Sequence, residues 1–372
     1  MNALIPLPVI VPLLGAAICM IVAQLRWAQR VVCLLALTSN VVVAIMLLVR
    51  VDDDGIVVTQ AGGWPAPLGI TLVVDRLSAV MLVVSSLMLL SVLVYAIGQG
   101  AEESRYAAFN PVYLVLAAGV SASFITGDLF NLFVAFEMML VASYVLLTLG
   151  GRPDQVRAGM SYVVISLVAS TFFVTALAVI YAATGTVNMA QLSQRMPDLP
   201  IGVSTGFSLL LILVFGIKAG LFPLFFWLPD SYPTASGAIT AVFAGLLTKV
   251  GVYAIIRTQT LIFPPDAQQG TVLLVLAGLT MLVGVLGALA QDDLRRMLSF
   301  HIVSHIGYMI FGLALFTLAG VAGAVFYVVH HIVVKTGLFL VAGLVERRSG
   351  SDRLSRVGGL VRSAPMLAVL FA

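Results

Sequence analysis

The chain has 372 residues, of which 61% are hydrophobic and 9% charged, and its formal net charge is +3. A soluble domain carries about 25% charged residues, so this chain cannot cover a water-facing surface. With no basic cluster interleaved with aromatics, the small positive charge gives no sign of a nucleic-acid partner.

Apolar runs of about 20 residues recur, each able to cross a bilayer as a helix that satisfies its own backbone hydrogen bonds. The expected fold class is an all-α polytopic membrane protein in one transmembrane domain. Spans are predicted at 4–22, 31–49, 72–97, 111–126, 129–149, 161–183, 206–227, 238–256, 271–290, 298–318 and 321–344. The N-terminal stretch MNALIPLPVIVPLLGAAICMIVAQLRW lacks a basic leading region and reads as the first span, not as a cleaved signal. Cys19 and Cys33 fall in different runs and form no C-x-x-C or metal-ligand set; they read as small core residues. After the second span, VDDDGIVVTQAGGWPAPLGITLVVD holds two short β-like runs with Gly and Pro punctuation, which predicts a small extracytoplasmic hairpin. TGTVNMAQLSQRMPDLPIG predicts a short surface helix and a proline-broken linker. The sequence closes in SAPMLAVLFA, a few residues into another apolar run, and so reads as truncated or as needing a continuation elsewhere. No segment is large enough to house a redox cofactor or nucleotide, and neither a cofactor nor a metal is expected.

Orientation follows from the basic residues of the short loops. Twelve arginines lie after odd-numbered spans, against Arg50, Arg195 and Arg257 on the other side. The arginine-rich side is predicted to be cytoplasmic, with the N-terminus outside. Arg76, Lys218, Lys249 and Lys335 fall within or at the edge of spans.

An ionisable side chain at bilayer depth costs at least ~2.5 kcal/mol, so it pairs or faces a wet cavity. Glu137 lies about nine residues into LFNLFVAFEMMLVASYVLLTL, with Tyr144 on the same helix face. It is either a structural carboxylate or a proton or cation site. Lys218 sits in LLLILVFGIKAGLFPLFFWLPD, between Gly216 and Gly220 and five residues before Pro223, which is expected to break the helix. It is too deep to snorkel readily to the interface. Lys249 occupies the middle of TAVFAGLLTKVGVYAII, with Gly245 and Tyr253 on its face. In AVFYVVHHIVVKTGLFLVAGL, Tyr327, His331 and Lys335 are spaced by four and form one stripe; His330 stands beside them. His301, His305 and Tyr308 form another stripe in SFHIVSHIGYMIF, as a proton wire or as the lining of a wet funnel. One hydrogen-bonded step spans only ~3 Å, so water must fill the gaps in a relay of Glu137, Lys218, Lys249, His331 and Lys335.

The stretches FPLFFWLPDSYPTASGAITAVFAGLLTKVGVYAIIR, QDDLRRMLSFHIVSHIGYMI and HHIVVKTGLFLVAGL resemble the antiporter-like subunits shared by respiratory complex I, membrane-bound hydrogenases and Mrp-type cation/proton antiporters. SYPTA, LLTKVGVYA, LSFHIVSHIGYM and VVHHIVVKT are most similar to the D-type branch of the Mrp antiporter subunits. The resemblance implies about fourteen helices in two inverted repeats, each with a broken helix: 111–256 would be the first repeat and 271–372 an incomplete second. It also implies that Glu137 is the buried glutamate of the fifth helix, Lys218 the lysine of the broken seventh, Lys249 the central residue of the eighth, and His331 with Lys335 the pair of the eleventh. The implied function is sodium/proton antiport in a bacterial cell membrane, with other membrane subunits as partners. A subunit of a redox-driven proton pump would carry the same buried charges. A haem-bearing cytochrome would need its histidines paired on facing helices.

Overall fold

Each predicted span corresponds to one helix in the computed structural model, which describes residues 2–100 and 102–371. They are α1 (Leu7–Ile21), α2 (Arg26–Asp54), α3 (Arg76–Gln99), α4 (Phe109–Ile125), α5 (Leu129–Thr148), α6 (Pro153–Thr184), α7 (Ile201–Ala219), α8 (Gly237–Leu261), α9 (Gly270–Leu289), α10 (Leu294–Ala314) and α11 (Leu318–Ser349). Among the described residues, nine are long and apolar enough to cross a membrane, and α1 and α4 are shorter apolar helices. Their ends carry the signals that uniformly apolar sequence lacks. Asp75, Asp128, Asp293 and Thr317 cap the starts of α3, α5, α10 and α11 through their side chains. Gly100, Gly185, Gly220 and Gly350 end α3, α6, α7 and α11 in the left-handed conformation that glycine adopts at least cost.

The predicted hairpin is present. β1 (Val57–Gln60) pairs antiparallel with β2 (Thr71–Val74), Val57 opposite Val74 and Gln60 opposite Thr71. It docks on the bundle through Thr71, whose carbonyl accepts from Gly127 N at 2.9 Å and whose hydroxyl accepts from Asn188 Nδ2 at 2.9 Å. Asn188 in turn caps the predicted surface helix, Met189–Arg195.

α8 is the axis. Its most apolar window is wholly buried, against 28–61% for the other helices that qualify as spans. It contains a π-helical stretch, Phe243–Leu247, just before Lys249. Two glycines let neighbouring helices approach it closely. A Cβ on Gly245 would overlap Thr336 Oγ1 of α11, and one on Gly251 would stand 2.7 Å from Ala219 N and 2.9 Å from Ala219 Cα at the end of α7.

Arg257 departs from its predicted place in an outer loop. It lies inside α8, with Nη1 and Nη2 on the two oxygens of Asp75 at 2.5 and 2.7 Å. The pair ties the axis to the hairpin's exit into α3. Burial alone would raise the Asp75 carboxyl; Arg257 and Ser78 outweigh it and bring it down to about 2. The stability from ionised Asp75 is therefore present above the ordinary value of 3.8 and lost as the pH falls through about 2. Hydrogen exchange at the Val57–Gln60 amides should accelerate over that acid interval, and Asp75→Asn should exchange fast already at neutral pH.

Gly251→Ala is expected to lower stability by about 1–3 kcal/mol through overpacking against backbone. Gly278→Ala is the control: its Cβ would meet nothing within 4 Å, and the change should be neutral or gain up to about 1 kcal/mol. Thermal unfolding of the two purified variants in detergent checks the opposite signs.

Candidate functional site

The cap on α5 fixes the phase of the helix that carries Glu137: Asp128 Oδ1 accepts from Phe130 N at 2.9 Å and Asn131 N at 3.0 Å. Glu137 then meets Ser170 of α6, whose hydroxyl donates to Oε1 in a short hydrogen bond. Lys218 Nζ donates to Ser170 Oγ at 3.1 Å and to Ser166 O at 3.3 Å, and stands 3.9 Å from Glu137 Oε1. Ser170 thus bridges the two charges: its hydroxyl reaches both Glu137 Oε1 and Ser166 O, the latter at 2.9 Å, and shares its single proton between these acceptors while a lone pair meets the ammonium. Phe136 lies beneath, with Nζ 5.6 Å from the ring centre.

Lys218 is the last residue but one of α7. The helix stops at Gly220, φ 84°, with the amides of Gly220 and Leu221 both donating to Gly216 O at 2.9 Å. The break therefore begins three residues before Pro223, which lies in the turn that follows. The open helix end is answered by Trp227 Nε1, which donates to Ile217 O at 3.1 Å. A cavity of about 30 Å³ lies between Lys218, Ser166, Tyr162, Trp227 and Leu247. It is large enough for a water molecule and has polar partners for one. Leu247 carries the wall to within two residues of Lys249. No direct hydrogen bond joins Lys218 to Lys249 among the described residues.

Lys249 is fully buried. Its ammonium turns back along α8, donating to Ala244 O inside the π stretch and to Thr248 Oγ1 at 3.1 Å. α11 packs on that stretch through Thr336, next to Lys335.

The third group joins α10 to α11. Lys335 Nζ lies 2.6 Å from His301 Nδ1, and Tyr327 Oη 2.6 Å from His305 Nδ1. The His305 ring centre is 4.5 Å from that of His301 and 5.0 Å from that of His331. Rings this close leave no slot for a haem macrocycle between them. His331 is 2% exposed, and neither ring nitrogen has a hydrogen-bond partner among the described residues.

Two expected members lie at the edges of these groups. His330 is exposed, off the His331 face because neighbours in a helix point about 100° apart, with its ring centre 6.0 Å from that of Tyr327 and 6.5 Å from that of Phe326. Tyr144 faces α6, as Glu137 does, but meets Met160 there, with Oη 4.0 Å from Sδ. Ser166, Ser170, Thr248 and Trp227 were not singled out from sequence. The first two, four residues apart in SYVVISLVAS, carried a usable signal: small hydroxyls on one face of a span that must meet a charge.

Residues 126–372 match the family described as NADH:quinone oxidoreductase/Mrp antiporter, transmembrane. A protein from Alkalihalophilus pseudofirmus, named as the D-type subunit of a Na(+)/H(+) antiporter, is 45% identical over the whole chain and 76% of its own length. This chain belongs to the D-type branch of the Mrp antiporter family. The protein of the same name from Bacillus subtilis is 39% identical at the same coverage. Among solved structures, a chain of the Mrp complex from Dietzia sp. superposes with a TM-score of 0.93 at 38% identity, covering all of this chain and 69% of that one. A chain of the membrane-bound sulfane sulfur reductase, an archaeal respiratory complex, reaches 0.94 at 28% identity, over all of this chain and 77% of that one. In this Mrp-family chain the buried charges thus sit in the interior of a bundle whose fold the family shares.

Ser170→Ala leaves a buried ammonium short of one partner, a loss of about 1–3 kcal/mol. Ser170→Thr keeps the hydroxyl and should retain most of it. Thermal unfolding of both variants gives the comparison.

Proposed function

We propose that this chain is one subunit of a multisubunit sodium/proton antiporter of a bacterial cell membrane, conducting protons through its buried Glu, Lys and His side chains alongside other membrane subunits. The observation that carries this reading is the Glu137–Ser170–Lys218 bridge at the open end of a broken helix. A carboxylate 3.9 Å from a buried amine bears on whether that amine keeps its proton. A small displacement at Ser170 alters that control. Protons pass from Lys218 by water in the adjoining cavity toward Lys249, and on to His331, His305, His301 and Lys335. The sodium-linked function rests on the names of the D-type relatives, at 39–45% identity.

A role in a redox-driven pump is the second reading, favoured by the fold match to the archaeal respiratory complex. Fold does not separate the two; identity over the full chain favours the antiporter. We also read α4–α8 as the first inverted repeat and α9 onward as part of the second. Twelve arginines on one side of the spans against three on the other support a cytoplasmic arginine-rich side and an external N-terminus.

The test is proton movement driven by a sodium gradient in vesicles holding the full assembly. Glu137→Ala and Lys218→Ala should reduce it by roughly a hundredfold at equal assembly, the scale of a positioned proton-transfer group. Lys218→Arg should fail equally, since a guanidinium does not release its proton. Near-normal antiport in all three variants would remove the proposal.

A further inference from the structure

The relay described so far leaves unused a second charged array on α8. Lys249, Tyr253 and Arg257 are spaced by four and rise along one side of the axis. Tyr253 Oη donates to Phe124 O at 3.0 Å and accepts from Arg257 Nε at 3.3 Å and Nη2 at 3.2 Å. The guanidinium also lies 5.4 Å from the Tyr253 ring centre. Beyond it comes Asp75. Beyond Asp75 is a cavity of about 420 Å³ under the hairpin, walled mainly by apolar side chains such as Ile56, Val58 and Val73, with Asp75 and Arg257 on its inner wall. The two charged side chains are 22% and 16% exposed, so the cavity touches them.

Three features make this array a barrier. Arg257 is a fixed positive charge between Lys249 and the cavity, and a second positive charge moving past it meets direct repulsion. Its partner Asp75 is held ionised, with both oxygens engaged by the guanidinium and Oδ1 also accepting from Ser78 N at 2.9 Å. The Tyr253 hydroxyl proton is committed to a backbone carbonyl. Lys249 itself is turned the other way, toward Ala244 and Thr248. Its Cα is about 6 Å along the axis from that of Tyr253, four residues at 1.5 Å each, within the swing of a lysine side chain.

We infer that Asp75, Arg257 and Tyr253 form a closed gate between Lys249 and the hairpin cavity, which is the aqueous port of this relay on the hairpin side. Opening separates Arg257 from Asp75. The lysine then rotates toward Tyr253 and hands its proton through the hydroxyl to the freed carboxylate: one N–H bond breaks, one O–H bond forms, and the charge leaves with the proton. Arg257 controls access; Tyr253 passes the proton and Asp75 receives it. The inference rests on the proposed proton relay, and the two are separable by experiment.

The test uses the assembled complex in vesicles with an internal pH dye, read without sodium for leak and with sodium for antiport. Arg257→Gln should raise the sodium-independent leak by roughly tenfold, equivalent to about 1.4 kcal/mol of barrier. Adding Tyr253→Phe should return that leak toward the wild-type level. Tyr253→Phe alone keeps the ring and should slow antiport at least severalfold. A wild-type leak in assembled Arg257→Gln would overturn the gate, because a purely structural clamp predicts lost assembly with no leak. Should Arg257→Gln not assemble, Tyr253→Phe decides: unchanged antiport in that variant overturns the inference. Loss of antiport in Lys218→Ala alongside a negative result for the gate would leave the relay standing, whereas retained antiport there would end the relay itself.

Discussion

The contact on which the arrangement depends is that of backbone on backbone at Gly251 and Ala219. A buried lysine works as a switch only if its distance to a carboxylate is set by something stiffer than side chains. Here the end of α7 rests directly on α8, with no rotamer between them. Lys218 therefore sits at a fixed height beside the axis, its neighbour Ala219 against Gly251 and its ammonium against Ser170. The helix break serves the same end. By stopping at Gly220, α7 exposes its final carbonyls and places the amine at a terminus, where Trp227 holds the polypeptide end.

Burial is distributed accordingly. Lys249 and Lys335 are sealed within the bundle, Lys218 nearly so, while Glu137 keeps 28% of its side chain accessible. Each of these four charges has a partner. Each contacts a hydroxyl, an imidazole or a carbonyl, the usual condition for ionisable groups at such depth. Toward Lys249 the Lys218 group adjoins a small cavity walled by Phe136, Met139, Leu140 and Leu247. On the proposed relay, passage there uses ordered water or motion of Leu247.

Much of this was legible in the sequence. All eleven spans follow from apolar length alone, and the hairpin and surface helix from turn residues. Four of the five relay residues were visible as charges where charges are costly, and His331 by its place in a helical stripe. Boundaries were less so. Hydropathy ran the seventh span through to 227, because Leu221 to Trp227 is as apolar as the helix before it; the stop is made by one glycine's backbone angle. Arg257 looked like a loop residue because its partner Asp75 lies 182 positions away, and no local pattern announces such a pair.

The π stretch at Phe243–Leu247 has a consequence of its own. It holds one residue more than the α-helical turn it replaces, so it stores a spare residue in the middle of the axis. If that spare residue migrates past position 249, Lys249 turns by about 100° while both ends of α8 stay anchored. The axis can thus reorient its central amine by local rewinding, without any helix sliding through the bundle.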